Sequence, residues 1–466
     1  MRVNFCTQRR LDAGLSFQSR CARALNQQKL KSARYRLTQE PFSMTDVKIT
    51  KPRKHYHDID GARSVLMFLS VALHAGTVYA PARPWITGNT ARADFFDWLI
   101  FGFHLFITPT FFFVGGFFAV LLLTRRAPAD FLWNRFLRTV IPLITFALSF
   151  NMLEHYLRWG DAGGQGSFWD WVGSPAFVQI WADGTWQLHL WFLVSLIPMF
   201  LLAAIVQVLL PKSAKLRANS VTVSDRFGGL ISGTLPFLFG LLFLGLASTA
   251  NYASASVIPG SYDLIAPGFQ SWYKLTSEFP FFVIGVMAAL SPRLLSALTE
   301  WRWWMPYAAA AALLFQPYPS AEQSFVIGTV MMFLNQLSIW ALVLFILQFF
   351  HRFFSEGGPR TSWLADCALS MYLFHHCFVY IFGQLFVGFD WPIALEFAIV
   401  TLASAGTVIA IHELLVRRSK LLRLLANGKT DVEQVAILPG FFEAFALGRK
   451  TDALKSGSSA GLSPRA

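Results

Sequence analysis

Arg63 and His74 are the two residues of this sequence whose types and spacing point most directly to chemistry. They lie eleven residues apart in the largely apolar segment GARSVLMFLSVALH. Eleven residues make about three turns of α-helix, so the two side chains would point within about 20° of each other and lie about 16 Å apart along the axis. A guanidinium and an imidazole are costly inside hydrocarbon, so we expect both to be functional; the alternatives are a packing role for His74 and a topology-setting charge paired with Asp60 for Arg63. Asp60 and Ser70 fall near the same stripe, which predicts a polar track along one helix.

Further histidines lie at a similar depth in other apolar segments. We expect their side chains to converge with that of His74 on one externally open cavity, although a packing role is the alternative for each alone; they are His104, His189, His375 and His376. Four more fall in predicted loops or the N-terminal tail, where we expect solvated side chains; these are His55, His57, His155 and His351.

Arg135 and Arg138 stand one helical turn apart, just before the third apolar segment. Guanidinium groups bind phosphates through paired hydrogen bonds, so this pair suits an anionic ligand. Positive residues also collect on the cytoplasmic side of membrane proteins, and topology alone is the alternative explanation.

The composition defines the class of protein that must position these residues. Of 466 residues, 55% are hydrophobic and 14% are charged, with a mean hydropathy of +0.47, which excludes a soluble globular domain. The sequence predicts an all-α polytopic membrane protein with about ten transmembrane helices. The predicted spans are 61–80, 98–123, 137–154, 187–210, 229–249, 277–291, 303–317, 325–350, 364–387 and 391–416, of which the sixth and seventh are short.

Charge placement predicts the topology. With a cytoplasmic N-terminus, the loops and flank on that side hold sixteen Lys and Arg residues and the opposite loops hold four, so both termini are predicted to be cytoplasmic. The net charge of +13 then reflects topology and contact with anionic membrane lipid, and we expect no nucleic-acid partner. No Cys/His spacing suggests a metal site.

Three regions are predicted along the chain. Residues 1–54 form a basic, disordered cytoplasmic tail, with Met44 as an alternative start; residues 55–428 form the transmembrane domain; and residues 429–466 form a second, largely disordered tail. The long external loops, 155–186 and 250–277, are rich in Trp and Tyr. An interfacial aromatic belt is favoured there over a sugar-binding platform.

Several segments resemble the membrane-bound acyltransferase 3 family. DIDGARSVLMFLSVALH is similar to the family's opening helix, in which ten residues separate an Arg from a His. PTFFFVGGFF and FLWNRFLRTVIP resemble its second-helix pattern and its basic motif before the third helix. HLWFL, FPFFVIGVMAALSP, SMYLFHH and IHELLVR are similar to the glucan biosynthesis protein C branch. The resemblance runs in order from about residue 55 to residue 428.

The resemblance implies transfer of an acyl group to a carbohydrate hydroxyl in the bacterial cytoplasmic (inner) membrane. In this branch it implies succinylation of osmoregulated periplasmic glucans. Succinyl-CoA from the cytoplasm would be a co-substrate, with no permanently bound cofactor, and the acceptor glucan would lie outside.

These implications give each candidate residue a role. We expect His74 to act as general base, although a covalent acyl-histidine stays open. Arg63, with Asp60, would hold CoA phosphates or the succinyl carboxylate, and Arg135 and Arg138 would bind the donor. The remaining intramembrane histidines are candidates for the acceptor site. A transporter or flippase without acyltransferase activity is the alternative, but the internal repeats typical of transporters are not found.

Overall fold

The computed structural model describes residues 56–82, 85–86, 91–210, 235–316 and 324–429. The predicted tails fall almost wholly on residues 1–55 and 430–466, and with Met44 and His55 they lie outside the described residues.

The described residues fold into helices, with no strand among them. The α-helices are α1 His57–Thr77, α2 Asp94–Leu123, α3 Pro128–Arg135, α4 Ile141–Ala147, α5 Phe150–Asp161, α6 Phe168–Val172, α7 Pro175–Ala182, α8 Trp191–Leu209, α9 Leu235–Val257, α10 Trp272–Leu290, α11 Pro292–Thr299, α12 Met305–Phe315, α13 Phe325–Phe354, α14 Pro359–Gln384, α15 Ile393–Ile411 and α16 Lys420–Asn427. Short π turns at Phe136–Val140 and His412–Val416 and a 3₁₀ turn at Thr185–Leu190 join some of them.

Seven helical stretches in the described part of the chain are long and apolar enough to cross a membrane. They are Asp94–Leu123, Pro128–Asp161, Thr185–Leu209, Trp272–Leu290, Phe325–Phe354, Pro359–Gln384 and Ile393–Val416. The all-helical membrane class is therefore confirmed, and the sixth predicted span is longer than expected. Helices α1, α9 and α12 lie at the other predicted spans, but α12 has only 11 residues, so the count of ten stays a prediction.

The region 155–186, predicted as a long external loop, is largely helical, and the preceding apolar stretch Pro128–Asp161 extends into it. Helices α5, α6 and α7 occupy most of it, and Trp171 is only 1% exposed. His155, expected to be solvated, is buried, and its Nε2 lies 3.1 Å from the Thr185 carbonyl oxygen. His351 lies in α13 rather than in a loop, and its Nδ1 is 2.7 Å from a carboxylate oxygen of Asp58.

Helix α1 lies at the centre of the bundle, in contact with α2, α13, α14 and α15. By contrast, α8 presents apolar side chains outwards along its second half; they include Leu201, Leu202, Ile205, Val208 and Leu209. An apolar outer face on a long helix is what contact with lipid requires. Polar residues on α1 are thus placed away from lipid by the packing around them.

Helices α2 and α10 pack backbone to backbone. A Cβ atom added to Gly116 would collide with the carbonyl oxygen of Phe282, and one added to Gly285 would collide with the carbonyl oxygen of Phe113. Small residues allow this close approach of helices in membranes. This interface fixes the position of α2, and with it the end of the bundle where α2 contacts α3.

We expect Gly116→Ala to destabilise the protein, because the two backbones must separate to admit the methyl group. Overpacking of this kind costs about 1–3 kcal/mol. Gly406→Ala in α15 is the matched control, since nothing lies within 4 Å of the added Cβ there. Thermal unfolding of the detergent-solubilised proteins measures the difference, and equal midpoints for the two variants would contradict the packing described.

Candidate functional site

A cationic cavity of about 220 Å³ opens where α1, α2, α3, α8 and α14 meet. Four cationic side chains line it, against the single carboxylate of Asp366; the cations are Arg63, Arg135, Arg138 and Lys429. The rest of the lining is mostly apolar and includes Met67, Phe111, Phe118, Phe192 and Leu369. The three arginines singled out in the sequence thus meet in one cavity whose charge suits an anion.

Arg135 and Arg138 are positioned by a change of helix type. Arg135 ends α3, and Arg138 lies in the π turn Phe136–Val140 that follows. The guanidinium of Arg135 lies 5.3 and 4.9 Å from the ring centroids of Phe131 and Phe200, and its Nη2 donates to the Phe118 carbonyl at 3.2 Å. π turns are rare and frequently mark functional sites.

Arg63 pairs with the residue one turn earlier on α1. Its Nη2 lies 3.1 Å from Oδ1 of Asp60, and its side chain remains 35% exposed. Asp60 therefore balances part of the guanidinium charge at the edge of the cavity. Ser70, predicted to extend this polar track, instead donates its hydroxyl to the Met67 carbonyl at 2.6 Å.

Asp366 was not singled out in the sequence, yet its carboxylate holds several cationic side chains at one side of the cavity. Its carboxylate lies 3.2 Å from Nη2 of Arg423 and 2.7 Å from Nζ of Lys429. His412 approaches to 3.5 Å through Nε2. Arg423 lies in α16, Lys429 follows that helix, and His412 begins the π turn after α15, so the end of the described chain closes this part of the cavity.

Four histidines gather deeper along α1. The ring centroid of His74 lies 4.8 Å from that of His376, 5.1 Å from that of His375 and 6.5 Å from that of His189. The indole of Trp85 stacks on His74 at 5.4 Å, with the ring planes 10° apart. The convergence predicted from the sequence is therefore present for these four residues, which we call the histidine cluster.

Four ring nitrogens of the histidine cluster are buried with no hydrogen-bond partner among the described residues. They are Nδ1 of His74, Nδ1 and Nε2 of His189, and Nε2 of His375. Nδ1 of His375 is held by the Met371 and Tyr372 carbonyls, at 2.8 and 2.9 Å. Native proteins rarely leave buried polar groups unpaired, so this arrangement suits a ligand that forms hydrogen bonds.

His189 is presented by a tight, partly strained turn. Leu188 has φ of 43°, a value that is unfavourable for a residue with a branched side chain. The turn is held by Asn151, whose amide donates to the Trp186 and Gln187 carbonyls at 3.1 and 3.0 Å. Tyr372 donates to the His189 carbonyl at 2.7 Å.

His104 does not share this environment. Its side chain, on α2, is exposed, although it lies within electrostatic range of His74.

Several residues around the cluster were missed in the sequence, most of all Glu154. Its carboxylate is fully buried and contacts Nδ1 of His376 at 2.7 Å and Nη2 of Arg158 at 2.6 Å. The guanidinium of Arg158 in turn lies between the rings of Trp85 and Tyr380, 4.8 and 4.6 Å from their centroids. The i, i+4 spacing of Glu154 and Arg158 was the one available signal.

A polar group of Asp161, Tyr380 and Gln384 lies at the C-terminal ends of α5 and α14. Asp161 is exposed there and accepts hydrogen bonds from the Tyr380 hydroxyl and the Gln384 amide. Gln384 also donates to the Tyr380 hydroxyl oxygen at 3.1 Å.

The cationic cavity and the histidine cluster are separate. The cavity lining includes Met67 on α1 but not His74, and Phe192 of the lining packs against Tyr372, which in turn contacts His189 of the cluster. The polar track expected along α1 is therefore interrupted by an apolar layer. Among the described residues, no group of three His, Cys, Asp or Glu side chains is disposed to hold a metal ion.

Comparison with known proteins decides the family. Residues 56–413 match the acyltransferase domain of the acyltransferase 3 family. The chain belongs to this family. The matched segment contains the histidine cluster and most of the cationic cavity, while Lys429 lies beyond it.

Relatives within the family carry one shared name. Glucans biosynthesis protein C from Escherichia coli O1:K1 / APEC and that from Escherichia coli strain K12 are each 25% identical over 394 residues, which is 82% of this chain and 97% of the relative. The protein of that name from Escherichia coli O157:H7 (strain EC4115 / EHEC) is 24% identical over 392 residues. No solved structure matches the chain. The resemblance drawn from the sequence motifs is confirmed.

Proposed function

We propose that this protein is a membrane O-acyltransferase that moves a succinyl group from cytoplasmic succinyl-CoA to hydroxyl groups of a periplasmic glucan. Membership of the family supports acyl transfer, and the name of the relatives, glucans biosynthesis protein C, supports a glucan as acceptor. The bacterial inner membrane would be its location, since it lies between these two substrates.

One structural observation carries the proposal. Helices α1 and α14 each place one group at the cationic cavity and another at the histidine cluster: Arg63 and His74 on α1, Asp366 and His376 on α14. A phosphate-binding end and a proton-transfer end therefore lie along the same pair of helices. That is the arrangement needed to join an anionic donor to an acceptor from the opposite side.

The cationic cavity suits the donor. Four cations against one carboxylate give it an excess of positive charge, and charge-assisted hydrogen bonds from guanidinium groups hold phosphates well. The apolar wall around Met67 and Phe192 then faces the part of the donor that extends towards the histidine cluster.

The polar group around Asp161 suits a carbohydrate. Asp161 and Gln384 supply hydrogen-bond acceptors and donors for hydroxyl groups. An acceptor entering here would reach the histidine cluster, where an imidazole can remove a hydroxyl proton. The sequence singles out His74 for this step.

We expect His74→Ala to give a folded, membrane-inserted protein that no longer acylates the glucan. Mass spectrometry of periplasmic glucans measures the result in deletion cells carrying the wild-type or variant gene, because each succinyl group adds a defined mass and a negative charge. Retained acylation by His74→Ala would contradict a role in the reaction. Glucans that carry no acyl group in wild-type cells would contradict the proposed function, and glucan transport without acyl-CoA consumption would favour a transporter.

We expect the double variant Arg135→Gln/Arg138→Gln to have a much higher KM for the acyl donor. Loss of a hydrogen bond to a charged group costs about 1.5–3 kcal/mol, or about 10- to 100-fold in donor KM. Arg352→Gln is the control, because Arg352 packs on Trp301 outside the cavity lining. Steady-state kinetics with succinyl-CoA measure the effect, and equal donor KM in the two variants would mean that the arginine pair serves topology alone.

We expect Gln384→Ala to raise the acceptor KM and to leave the donor KM unchanged. One neutral hydrogen bond is worth about 0.5–1.5 kcal/mol, so the rise should be about 2- to 10-fold. Gln179→Ala is the control, since Gln179 is an exposed glutamine that likewise donates to an aspartate, Asp183, at 2.7 Å. Identical acceptor kinetics in both variants would place the acceptor elsewhere.

A further inference from the structure

Glu154 is a fully buried carboxylate within a membrane-spanning helical stretch, and the acyl transfer proposed above has so far given it no role. Burial of an ionised carboxylate is costly unless it is paired, and here both oxygens are engaged. Oε1 accepts hydrogen bonds from Nε and Nη2 of Arg158, at 3.0 and 2.6 Å, while Oε2 lies 2.7 Å from Nδ1 of His376. Glu154 therefore links the guanidinium of Arg158 to His376 of the histidine cluster.

The contact with Glu154 determines how the His376 ring is used. An ionised carboxylate can only accept a hydrogen bond, so Nδ1 of the neutral ring carries the proton and donates it. Nε2 is then the nitrogen with a free lone pair. A histidine held at one nitrogen by a carboxylate, with the other nitrogen available as a base, is the arrangement that activates hydroxyl nucleophiles in unrelated enzymes.

The other members of the cluster lack this support among the described residues. His74 has a buried Nδ1 without a hydrogen-bond partner, and His375 is held by neutral backbone carbonyls. When a base takes up a proton the ring becomes positive, and a carboxylate stabilises that charge more than a carbonyl does. His376 is thus the cluster member best supported as the proton acceptor.

Resting on the proposed acyltransferase function, we propose that Nε2 of His376 removes the proton from the acceptor hydroxyl and that Glu154 is its positioning residue. The hydroxyl oxygen forms the new bond to the acyl carbon as its proton moves to Nε2. The bond from the acyl carbon to the CoA sulfur then breaks, and the sulfur leaves with the electron pair. That thiolate takes the proton back from Nε2, so the ester and free CoA are the products and the ring is restored.

The surroundings keep the pair in place. Arg158 fixes Glu154 from the opposite side, and its own guanidinium is held between Trp85 and Tyr380. Trp85 also packs edge-on against His376, with the centroids 4.3 Å apart. In this assignment His74 lies against the base and faces the reacting groups, so its loss would also impair the reaction.

The test compares Glu154→Gln, His376→Gln and the double variant, as full-length proteins in proteoliposomes with succinyl-CoA and unsubstituted periplasmic glucan. We expect each single variant to lose about 10²-fold or more in kcat, the usual contribution of a positioned proton-transfer group, with donor KM nearly unchanged. Because Glu154 acts through His376, the double variant should be no slower than His376→Gln alone. Glu154→Asp, which keeps the carboxylate, should recover part of kcat.

Glu396→Gln is the matched control, since Glu396 is equally buried, on α15, but outside the cluster. We expect it to retain wild-type kcat. A purely structural role for Glu154 would instead give a loss of kcat that multiplies with that of His376→Gln and is not recovered in Glu154→Asp, and that result would overturn the inference. So would wild-type kcat in Glu154→Gln, or in His376→Gln should the first variant not fold. If the wild-type protein itself transfers no acyl group, the proposed function fails first.

Discussion

The high free-energy cost of placing a charge inside a membrane-spanning bundle governs where the polar groups of this protein lie. Each buried carboxylate discussed above as part of a site has a cation or an imidazole in contact. Asp366 is met by Arg423 and Lys429, and Glu154 by Arg158 and His376. Removing one partner of such a pair leaves an uncompensated charge and is strongly destabilising. The pairs therefore fix the relative positions of helices that are distant in the sequence.

Pairing concentrates the polar groups in two places and leaves an apolar layer between them. Met67 and Phe192 belong to this layer, on the side of the cationic cavity. A continuous polar passage would let water and ions reach a reactive thioester. Excluding water from the reacting groups prevents hydrolysis and strengthens the electrostatic interactions within the site. In the proposed function, only the extended arm of the donor has to cross the layer.

The sequence predicted the parts of the site that depend on position within a single helix. Arg63, Arg135 and Arg138 lie at the starts of their predicted apolar segments, so hydropathy and charge were enough to bring them together. Glu154 and Trp85 could not be found in this way, because their contacts come from folding. Glu154 meets His376 across 222 residues. His104 shows the converse limit, since its depth was predicted but its side chain is exposed, outside the four-histidine cluster.

The separation of the two sites follows from helix geometry. His74 follows Arg63 by eleven positions on α1, and His376 follows Asp366 by ten positions on α14. At about 1.5 Å per residue, both intervals correspond to about 15–16 Å. Because α1 and α14 pack against each other, the two helices act as rigid spacers of nearly equal length. A donor held by its phosphates at one end must therefore place its acyl group at the other end, across that fixed distance. An acyl group on a long flexible carrier can span it, but a small acyl phosphate could not.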